Sequence, residues 1–530
     1  MTTLAALGAW GCTGPHPKHT ITGSIVGGAH ERGHRVRDGF RPRPSRKERF
    51  DVAILGSGMA GLSSAWAFER AGFHDYVILE LEDAPGGTSR YGESAVSSYP
   101  WAAHYVTAPP AANRPLTALL EEIGALAGRD AAGRPSWAED MLIREPEERV
   151  FFRGEWFEGL YPNVGSSTRE SQQFREFEQE VMRWSTWRDD RGRPAFASPR
   201  ALGSDAAEVR ALDQKSVGEW LDARHWDSAR LRWFVEYACR DDFGSTLYQT
   251  SAWAGLHYFA SRVDTADENA GAFLTWPEGN GRLVRYLAQM ARGRLRLGAL
   301  VTEVAPQGDS VEVTYWDAST GETRGIEARH VVFALPRFLA GPLLVPYQDA
   351  PPAHLSETVY GAWMVANITL SEHPAGRGFE LAWDNVLYDS ASLGYVVATH
   401  QDGRGHGPTV LTYYKPMLQD DVRAARTQLL ETQWEEWVAQ IVSDLSPAHP
   451  GFEGWIENVD VFLWGHAMVR PRPRFLWGEA LAESARPLGR VHFAHTDLSG
   501  MALVEEAQYW GVRAAEDVMR ARGHTFASWL

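Results

Sequence analysis

Cysteine and lysine are scarce in this chain of 530 residues. The two cysteines, Cys12 and Cys239, are too few for a disulfide framework or a thiolate metal site, and we expect no bound metal. Lysine occurs only at Lys18, Lys47, Lys215 and Lys415. Positive charge is therefore carried almost entirely by arginine, whose guanidinium stays charged and cannot act as an amine nucleophile. Schiff-base chemistry has few candidate residues in such a chain.

Net positive charge and long apolar runs are also lacking. The 52 Lys+Arg residues are outnumbered by 68 Asp+Glu, giving a net charge of −16. This balance argues against nucleic acid as a partner, because affinity for phosphate backbones comes from clustered positive charge. No stretch approaches the roughly 20 consecutive apolar residues of a transmembrane helix. Hydrophobic residues at 44%, including 22 tryptophans, are enough for one large or two medium cores, which excludes a disordered or fibrous chain.

Residues 1–49 predict an irregular leader. Residues 4–11 form a short apolar run before Cys12, which fits the remnant of an export signal with Cys12 as a lipid acceptor and hence an exported or periplasmic protein. A frayed tail on a cytoplasmic protein is the alternative. Glycine, proline, histidine and arginine dominate residues 13–49, and Pro42 and Pro44 forbid a continuous helix there. The glycine-containing stretch 23–28 is expected to be a loop, and the ordered domain to begin near Phe50.

A nucleotide-binding fingerprint follows directly. Residues 50–55 (FDVAIL) predict a buried parallel strand, and they lead into Gly56-Ser57-Gly58-Met59-Ala60-Gly61 and a helical segment. Gly56 permits the tight turn, Gly58 allows a pyrophosphate to approach the backbone, and Gly61 lets the helix pack against the strand. Met59 and Ala60 then lie at the positive end of the helix, where the phosphates would sit.

An acidic residue stands at the matching distance. Residues 76–81 (YVILEL) predict a second strand, and Glu80 lies nineteen residues after Gly61. A carboxylate there can accept hydrogen bonds from both hydroxyls of an adenosine ribose, which favours NAD or FAD over NADP.

The choice of FAD comes from a resemblance. Gly86 and Gly87 follow six residues after Glu80, and the whole pattern is similar to the FAD-binding domain of flavin-containing amine oxidases, phytoene desaturases and protoporphyrinogen oxidases. In that family the Gly-Gly turn passes close to the FAD phosphates and ribitol. The family usually has an arginine directly after the two glycines, whereas here Thr88 and Ser89 come first, so the resemblance assigns the phosphate contact to Arg90.

Two later blocks extend the resemblance. Residues 275–304 and the strand HVVFALP are similar to a family segment in which the backbone of Val301 would meet the adenine. Residues 491–515 resemble the closing flavin-binding strand and helix, whose N-terminus near Val504 would face the flavin pyrimidine and stabilise its reduced form. Asp497 would contact the ribityl or phosphate region, with a helix cap as the alternative. The implied cofactor is FAD.

The predicted architecture is α/β, with a discontinuous Rossmann-like FAD-binding domain and a mixed α+β substrate domain. The FAD-binding domain takes residues 50–108, 271–342 and 485–530. The substrate domain takes residues 109–270, largely helical, and 343–484, rich in strands. Within it, residues 141–161 predict a hairpin with an Arg-Gly turn. The active site is expected between the domains, at the flavin.

Three candidate catalytic residues lie in segments similar to flavin-side elements. His104, in PWAAHY, would orient substrate or shuttle a proton, or is instead a buried interface histidine. Trp464 and His466, in FLWGHAM, would lie on the substrate side of the flavin, or in the core. Many amine oxidases of the family hold a water beside the flavin with a lysine, yet the matching strand 360–370 contains none.

The predicted function is that of an FAD-dependent oxidoreductase, most simply one that removes hydride from a carbon next to an amine. Dioxygen or an unknown carrier would then reoxidise the flavin. The missing lysine favours a specialised member, so a desaturase or dehydrogenase acting on an apolar, isoprenoid-like substrate is one alternative. A non-catalytic flavoprotein that serves as an interaction module is another.

Overall fold

The structure, a computed structural model, describes residues 20–131, 133–263 and 271–530. The apolar run 4–11 and Cys12, on which the export prediction depends, lie outside this range. Across the described part of the chain, we find no helix that combines the length and the apolar character needed to cross a membrane.

The described residues form strands and α-helices with the following bounds. The strands are β1 (Thr22–Val26), β2 (Arg46–Leu55), β3 (Tyr76–Leu79), β4 (Tyr91–Glu93), β5 (Ser98–Pro100), β6 (Tyr105–Thr107), β7 (Leu126–Arg129), β8 (Pro135–Trp137), β9 (Glu148–Phe152), β10 (Glu155–Glu158), β11 (Phe273–Thr275), β12 (Leu295–Arg296), β13 (Ala299–Gln307), β14 (Ser310–Asp317), β15 (Thr323–Phe333), β16 (Tyr360–Leu370), β17 (Asp384–Leu387), β18 (Gly394–Val397), β19 (Thr409–Met417), β20 (Ile456–Val469) and β21 (Val491–Phe493). The α-helices are α1 (His30–Arg37), α2 (Met59–Arg70), α3 (Arg114–Glu122), α4 (Thr168–Thr186), α5 (Ala207–Leu212), α6 (Val217–Asp222), α7 (Ala229–Phe243), α8 (Ala252–Ala260), α9 (Gly281–Met290), α10 (Ala340–Leu343), α11 (Val345–Gln348), α12 (Val422–Glu431), α13 (Trp434–Leu445), α14 (Glu479–Ser484) and α15 (Val504–Ala521).

The first large sheet has seven strands in the order β12-β3-β2-β15-β14-β13, with β21 beside β15. Strands β12, β3, β2, β15 and β21 run parallel, and β13–β15 form an antiparallel meander. Central strand β2 is buried on both faces, as its continuous apolar run requires. Val52 and Ile54 pack with helices α2, α9 and α15, whereas Ala53 and Leu55 pack with β13 and β14. The sheet thus presents the β2–α2 turn at its carboxyl edge.

The second large sheet has eight strands in the order β1-β20-β16-β19-β18-β17-β9-β10. Side chains alternate along β16, so that Met364 and Ala366 pack with helices α12 and α13 while Trp363 and Val365 face an aromatic cluster. Helices α4–α8 enclose a third core rich in tryptophan. The predicted hairpin is present as β9 and β10, joined at Arg153 and Gly154, which both have positive φ.

The prediction that residues 13–49 are irregular is wrong for three segments: β1, α1 and the start of β2, which begins at Arg46. Strand β1 pairs in parallel with β20, from Thr22 opposite Asn458 to Val26 opposite Phe462, and it includes most of the stretch expected to be a loop. Its side chains are almost all exposed, so it lacks the apolar pattern by which a strand is recognised. Helix α1 is likewise polar, and it is held by tertiary contacts such as the Arg32 guanidinium donating to the Leu81 carbonyl at 2.6 Å.

Candidate active site

The turn between β2 and α2 shows why its glycines are needed. Gly56 has a φ of +94°, in the left-handed region. A Cβ atom on Gly61 would lie 2.0 Å from the carbonyl oxygen of Gly56, so α2 can approach the turn only with glycine there. A Cβ on Gly58 would meet nothing within 4 Å. Because Met59 and Ala60 begin α2 beside it, the open space at Gly58 faces free backbone N–H groups and suits a phosphate.

Glu80 holds this turn in shape from the end of β3. Ser57 donates to one carboxylate oxygen from its backbone N–H at 2.7 Å and from its hydroxyl at 2.6 Å. The N–H of Glu82 donates to the other oxygen at 2.9 Å. Burial raises the pKa of Glu80, and these hydrogen bonds oppose that rise. The lone pairs that remain on the carboxylate can accept hydrogen bonds from ribose hydroxyls.

The Gly-Gly turn lies against the first glycine turn. Gly86 forms a bridge with Gly58, and both Gly86 and Gly87 have positive φ, at +121° and +56°. Arg90 follows, and its Nη1 lies 3.2 Å from a carboxylate oxygen of Glu82. The Nε of Arg90 is buried and has no hydrogen-bond partner among the described residues. Arg90 therefore has donor capacity left for a ligand at this turn.

Val301 and Val504 pack in the two cores on opposite faces of the first sheet. Val301 is a buried residue of β13, at an irregularity in the pairing of β13 with β14. Val504 is the first residue of α15, whose early N–H groups have no partner within the helix.

Asp497 is a fully enclosed carboxylate in the turn between β21 and α15. It accepts hydrogen bonds from the backbone N–H of Arg337 at 2.8 Å and from the hydroxyl of Tyr360 at 2.5 Å. Burial opposes its ionisation, but His495 and these hydrogen bonds lower the pKa of Asp497 below its ordinary value. Its side chain does not cap α15, which starts after Leu503, so it instead ties the turn to the second sheet.

The segment 100–104 crosses from the Gly-Gly turn to the second sheet and is fixed along its length. Its carbonyl oxygens at Pro100, Trp101 and Ala102 accept hydrogen bonds from three side chains of that sheet, Asn367, Trp464 and Tyr414, at 3.0, 2.8 and 2.8 Å. On the other side, Ala103 donates its N–H to the Thr88 carbonyl at 3.1 Å. Two predicted residues, Trp464 and His104, therefore belong to one connected unit.

His104 lies among aromatic rings. Its ring centroid is 4.9 Å from that of Tyr414, 5.1 Å from Tyr105 and 5.4 Å from Trp383. Nδ1 lies 3.1 Å from the Ala102 carbonyl oxygen, which only accepts, so Nδ1 carries the proton and Nε2 presents a lone pair. Burial lowers the pKa of His104 to about 4, so the ring is neutral at physiological pH.

His466 is not part of this aromatic group. Its ring stacks on Phe338 at 4.3 Å and meets Tyr360 edge-on at 5.7 Å, and it remains exposed. Because Tyr360 donates to Asp497, His466 lies on the Asp497 side of the site. The three predicted catalytic residues are thus divided between two places.

Beyond the aromatic rings lies an ion pair that the sequence did not indicate. Arg262, just after α8, donates to both carboxylate oxygens of Asp242 at 3.1 and 3.2 Å and to the hydroxyl of Tyr105 at 3.0 Å. The guanidinium also lies 3.9 Å from the ring centroid of Tyr258. Because Tyr105 adjoins His104, this pair borders the aromatic group.

Further carboxyls surround that pair. We define the acidic cluster as Glu148, Asp241, Asp242 and Asp384. Burial, with Glu147 nearby, raises the pKa of Glu148 to about 7. The pKa of Asp241 rises through burial and its neighbour Asp242, and that of Asp384 through burial and the charges of Asp241 and Glu148. Glu148, Asp241 and Asp384 are strongly desolvated but keep some accessible surface.

Sequence reasoning missed the cluster because its members come from separate elements. Glu148 begins β9, Asp384 begins β17, and Asp241 and Asp242 lie near the end of α7. The adjacent pairs Glu147-Glu148 and Asp241-Asp242 were the local signals, and such pairs are common on exposed surfaces.

Comparison with known proteins agrees with this geometry. A family model described as flavin containing amine oxidoreductase matches residues 59–519. Similar solved structures include a putrescine oxidase with putrescine bound (18% identity, 89% of this chain and 100% of that chain, TM-score 0.65). They also include cyclohexylamine oxidase from Brevibacterium oxydans (16%, 89% and 99%, 0.62) and a fatty acid isomerase from P. acnes (17%, 89% and 98%, 0.63). No curated protein sequence matches the chain significantly.

The fold and the glycine turns define a flavoprotein with a Rossmann-like cofactor domain and a substrate domain. The chain belongs to the flavin-containing amine oxidoreductase family, and it is an FAD-dependent oxidoreductase. Membership of this enzyme family excludes the alternative of a non-catalytic flavoprotein that serves as an interaction module.

The residues present fit FAD. The open space at Gly58, the N-terminus of α2 and the unpaired Nε of Arg90 surround one position suited to a diphosphate. Glu80 lies within hydrogen-bonding contact of the same turn, where it can hold an adenosine ribose.

Proposed function

We propose that this enzyme oxidises an amine that enters as its ammonium cation. The ammonium group first loses a proton to water, and the neutral amine then gives up a hydride from the carbon next to nitrogen to become an iminium ion, with dioxygen as the final acceptor of the two electrons. The observation that carries the proposal is the charge of the cavity. Four carboxyls of the acidic cluster adjoin the aromatic group around His104, and Arg262 is already paired with Asp242. Such walls attract an ammonium ion through Coulomb and cation–π interactions.

The residues around His104 bind the amine, exclude water from it and hold it in a fixed orientation. The lone pair on Nε2 of the neutral His104 accepts a hydrogen bond from the amine, and Tyr105, Trp383 and Tyr414 exclude water around it. The fixed segment 100–104 keeps His104 in place, so the amine is oriented by a rigid group. When bound, FAD supplies the acceptor for the two electrons.

The alternative substrate, an apolar isoprenoid-like chain, is disfavoured by the same walls. An apolar ligand would leave the carboxyls of Glu148, Asp241 and Asp384 desolvated with no cation to balance their ionised forms, which costs free energy. An anionic substrate would meet net negative charge, because Arg262 is engaged with Asp242. The putrescine oxidase and the cyclohexylamine oxidase among the structural relatives add support for an amine.

The test is anaerobic mixing of the purified flavoprotein with a panel of primary and secondary amines, fatty acids and polyenes. We expect amines to bleach the flavin absorbance and the other compounds to leave it unchanged. Bleaching by polyenes alone would refute the proposal.

A further inference from the structure

The first sheet carries a second concave site near the start of β2. We define the arginine cavity as this space, whose volume is about 450 Å³ and whose lining includes Arg46, Glu48, Arg296, Tyr315, Asp317 and Arg324. Such a volume is typical of small-molecule sites. Because β2 is ten residues long, about 30 Å of extended strand separates Arg46 from the glycine turn after Leu55. The arginine cavity is therefore a different place from the diphosphate position.

Three side chains of the arginine cavity form one row across neighbouring strands. Arg46 of β2 pairs with Arg324 of β15, and Arg324 pairs with Tyr315 of β14. Paired positions project from the same face of a sheet, about 5 Å apart, and all three residues line the cavity. Like charges at paired positions repel each other, so an anion between Arg46 and Arg324 would stabilise this row.

The first of these arginines has no counter-ion. Glu48 binds Arg296 through two hydrogen bonds, at 2.7 and 3.1 Å, so these two charges balance each other. Glu48 feels the charge of Arg46, but neither it nor any other described carboxylate lies within ion-pair distance of that guanidinium. Arg46 is therefore available to a ligand.

Two further donors of the row are also available. Arg324 contacts the carboxylates of Asp317 and Glu322 through Nη2, at 3.5 and 3.2 Å. Its Nε is buried and has no hydrogen-bond partner among the described residues. The hydroxyl of Tyr315 accepts a hydrogen bond from Arg296 at 2.7 Å, and no described residue accepts the proton of that hydroxyl. Buried donors of this kind are costly unless a ligand supplies the acceptor.

We propose that the arginine cavity binds the phosphate group of a small phosphate monoester, at a second ligand site separate from the FAD site. The phosphate accepts hydrogen bonds from the guanidinium of Arg46, Nε of Arg324 and the hydroxyl of Tyr315. Its oxygens point in tetrahedral directions, which suits donors that come from three strands, whereas the acceptor sites of a carboxylate lie in one plane. The rest of the cavity holds the organic part of the monoester.

The test is calorimetric titration of the FAD-loaded enzyme with glycerol 3-phosphate, inorganic phosphate and malonate, at about pH 8, where a phosphate monoester is a dianion. Bound FAD fills its own diphosphate position, so that position is closed to the added phosphate. We expect each phosphate compound to bind at one site per chain, about 10-fold or more tightly than malonate. Binding should weaken about 10- to 100-fold in Arg46→Gln and about 3- to 10-fold in Tyr315→Phe.

The matched control is Arg49→Gln, the same chemical change at an exposed position of the same strand, where the guanidinium meets Glu327. It should bind both phosphate compounds as the native enzyme does. Absence of binding by the native enzyme, an equal loss in Arg49→Gln and Arg46→Gln, or release of FAD by the added phosphate would overturn this inference. Malonate binding as tight as that of the phosphate compounds would overturn the choice of phosphate. None of these outcomes bears on amine oxidation.

Discussion

Glycines 58 and 61 allow the cofactor site to be tested separately from the fold. Replacing either glycine with alanine adds one methyl group, so the two variants make the same chemical change at different places. At Gly61 the new Cβ would lie 2.0 Å from the carbonyl oxygen of Gly56, far inside van der Waals contact and against backbone that cannot move aside. Overpacking of this kind costs about 3 kcal/mol or more. At Gly58 the new Cβ meets nothing within 4 Å, and φ and ψ of −68° and 178° are comfortable for alanine.

We therefore expect Gly58→Ala to leave the unfolding of the FAD-free protein unchanged within about 0.5 kcal/mol. Its affinity for FAD should nevertheless fall by about 100-fold, or roughly 3 kcal/mol, because the methyl group occupies the space assigned to the diphosphate. Gly61→Ala should lower stability with or without FAD. The assays are thermal unfolding of FAD-free protein and titration with FAD followed by flavin fluorescence. Native-like FAD affinity in Gly58→Ala would refute the assignment of that space to the diphosphate.

Three further predictions concern charge. Burial raises the pKa of Glu505 from 4.5 to about 7, so stability falls as pH rises from 4.5 to 7, by roughly 3 kcal/mol in total. Glu505→Gln should therefore raise Tm by roughly 3 °C at pH 8.5 and not at pH 4, and an equal gain at both pH values would contradict this. Since burial also raises the pKa of Glu148 to about 7, the apparent Kd for a cationic amine should fall as pH rises from 6 to 8, and a flat profile would count against binding by the carboxyls. Arg262→Gln should lower the free energy of unfolding, measured by chemical denaturation, by about 3–5 kcal/mol because Asp242 loses its partner. Arg262→Lys keeps the charge and is the milder control, so equal stability of the two variants would show that charge at this position does not matter.

The cofactor side of the molecule was predictable because its signals are local. The strand, glycine turn, helix and second strand follow one another within a short segment. Each glycine is required by a contact within a few residues or at the next strand, as at Gly56 and Gly61. Strand β1 could not be found in this way. It is held by backbone pairing with β20, more than 400 positions away, and its exposed side chains carry no period.

The substrate side was less predictable for a related reason. Its carboxyls are spaced over the chain from Glu148 to Asp384, and only the pairing of β9 with β17 and the packing of α7 beside them bring them together. The same applies to His104. Its segment was identified, but its neutrality depends on burial among rings contributed by β17 and β19, which no local pattern encodes.

The absence of lysine from strand β16 can be related to the charge of the residues that surround it. Strand β16 turns Val365 toward the aromatic group, paired with Tyr414 of β19. Lys415 is the next residue of β19, but it pairs with Met364 and therefore lies on the opposite face of the sheet. A lysine at Val365 would place a cation on the wall of a cavity that already holds the charge of Arg262, and would offset part of the charge of the acidic cluster. An apolar residue at that position leaves the negative field of the acidic cluster unreduced. The lysine-free strand, which taken alone favoured an apolar substrate, is thus consistent with an amine once the carboxyls around it are known.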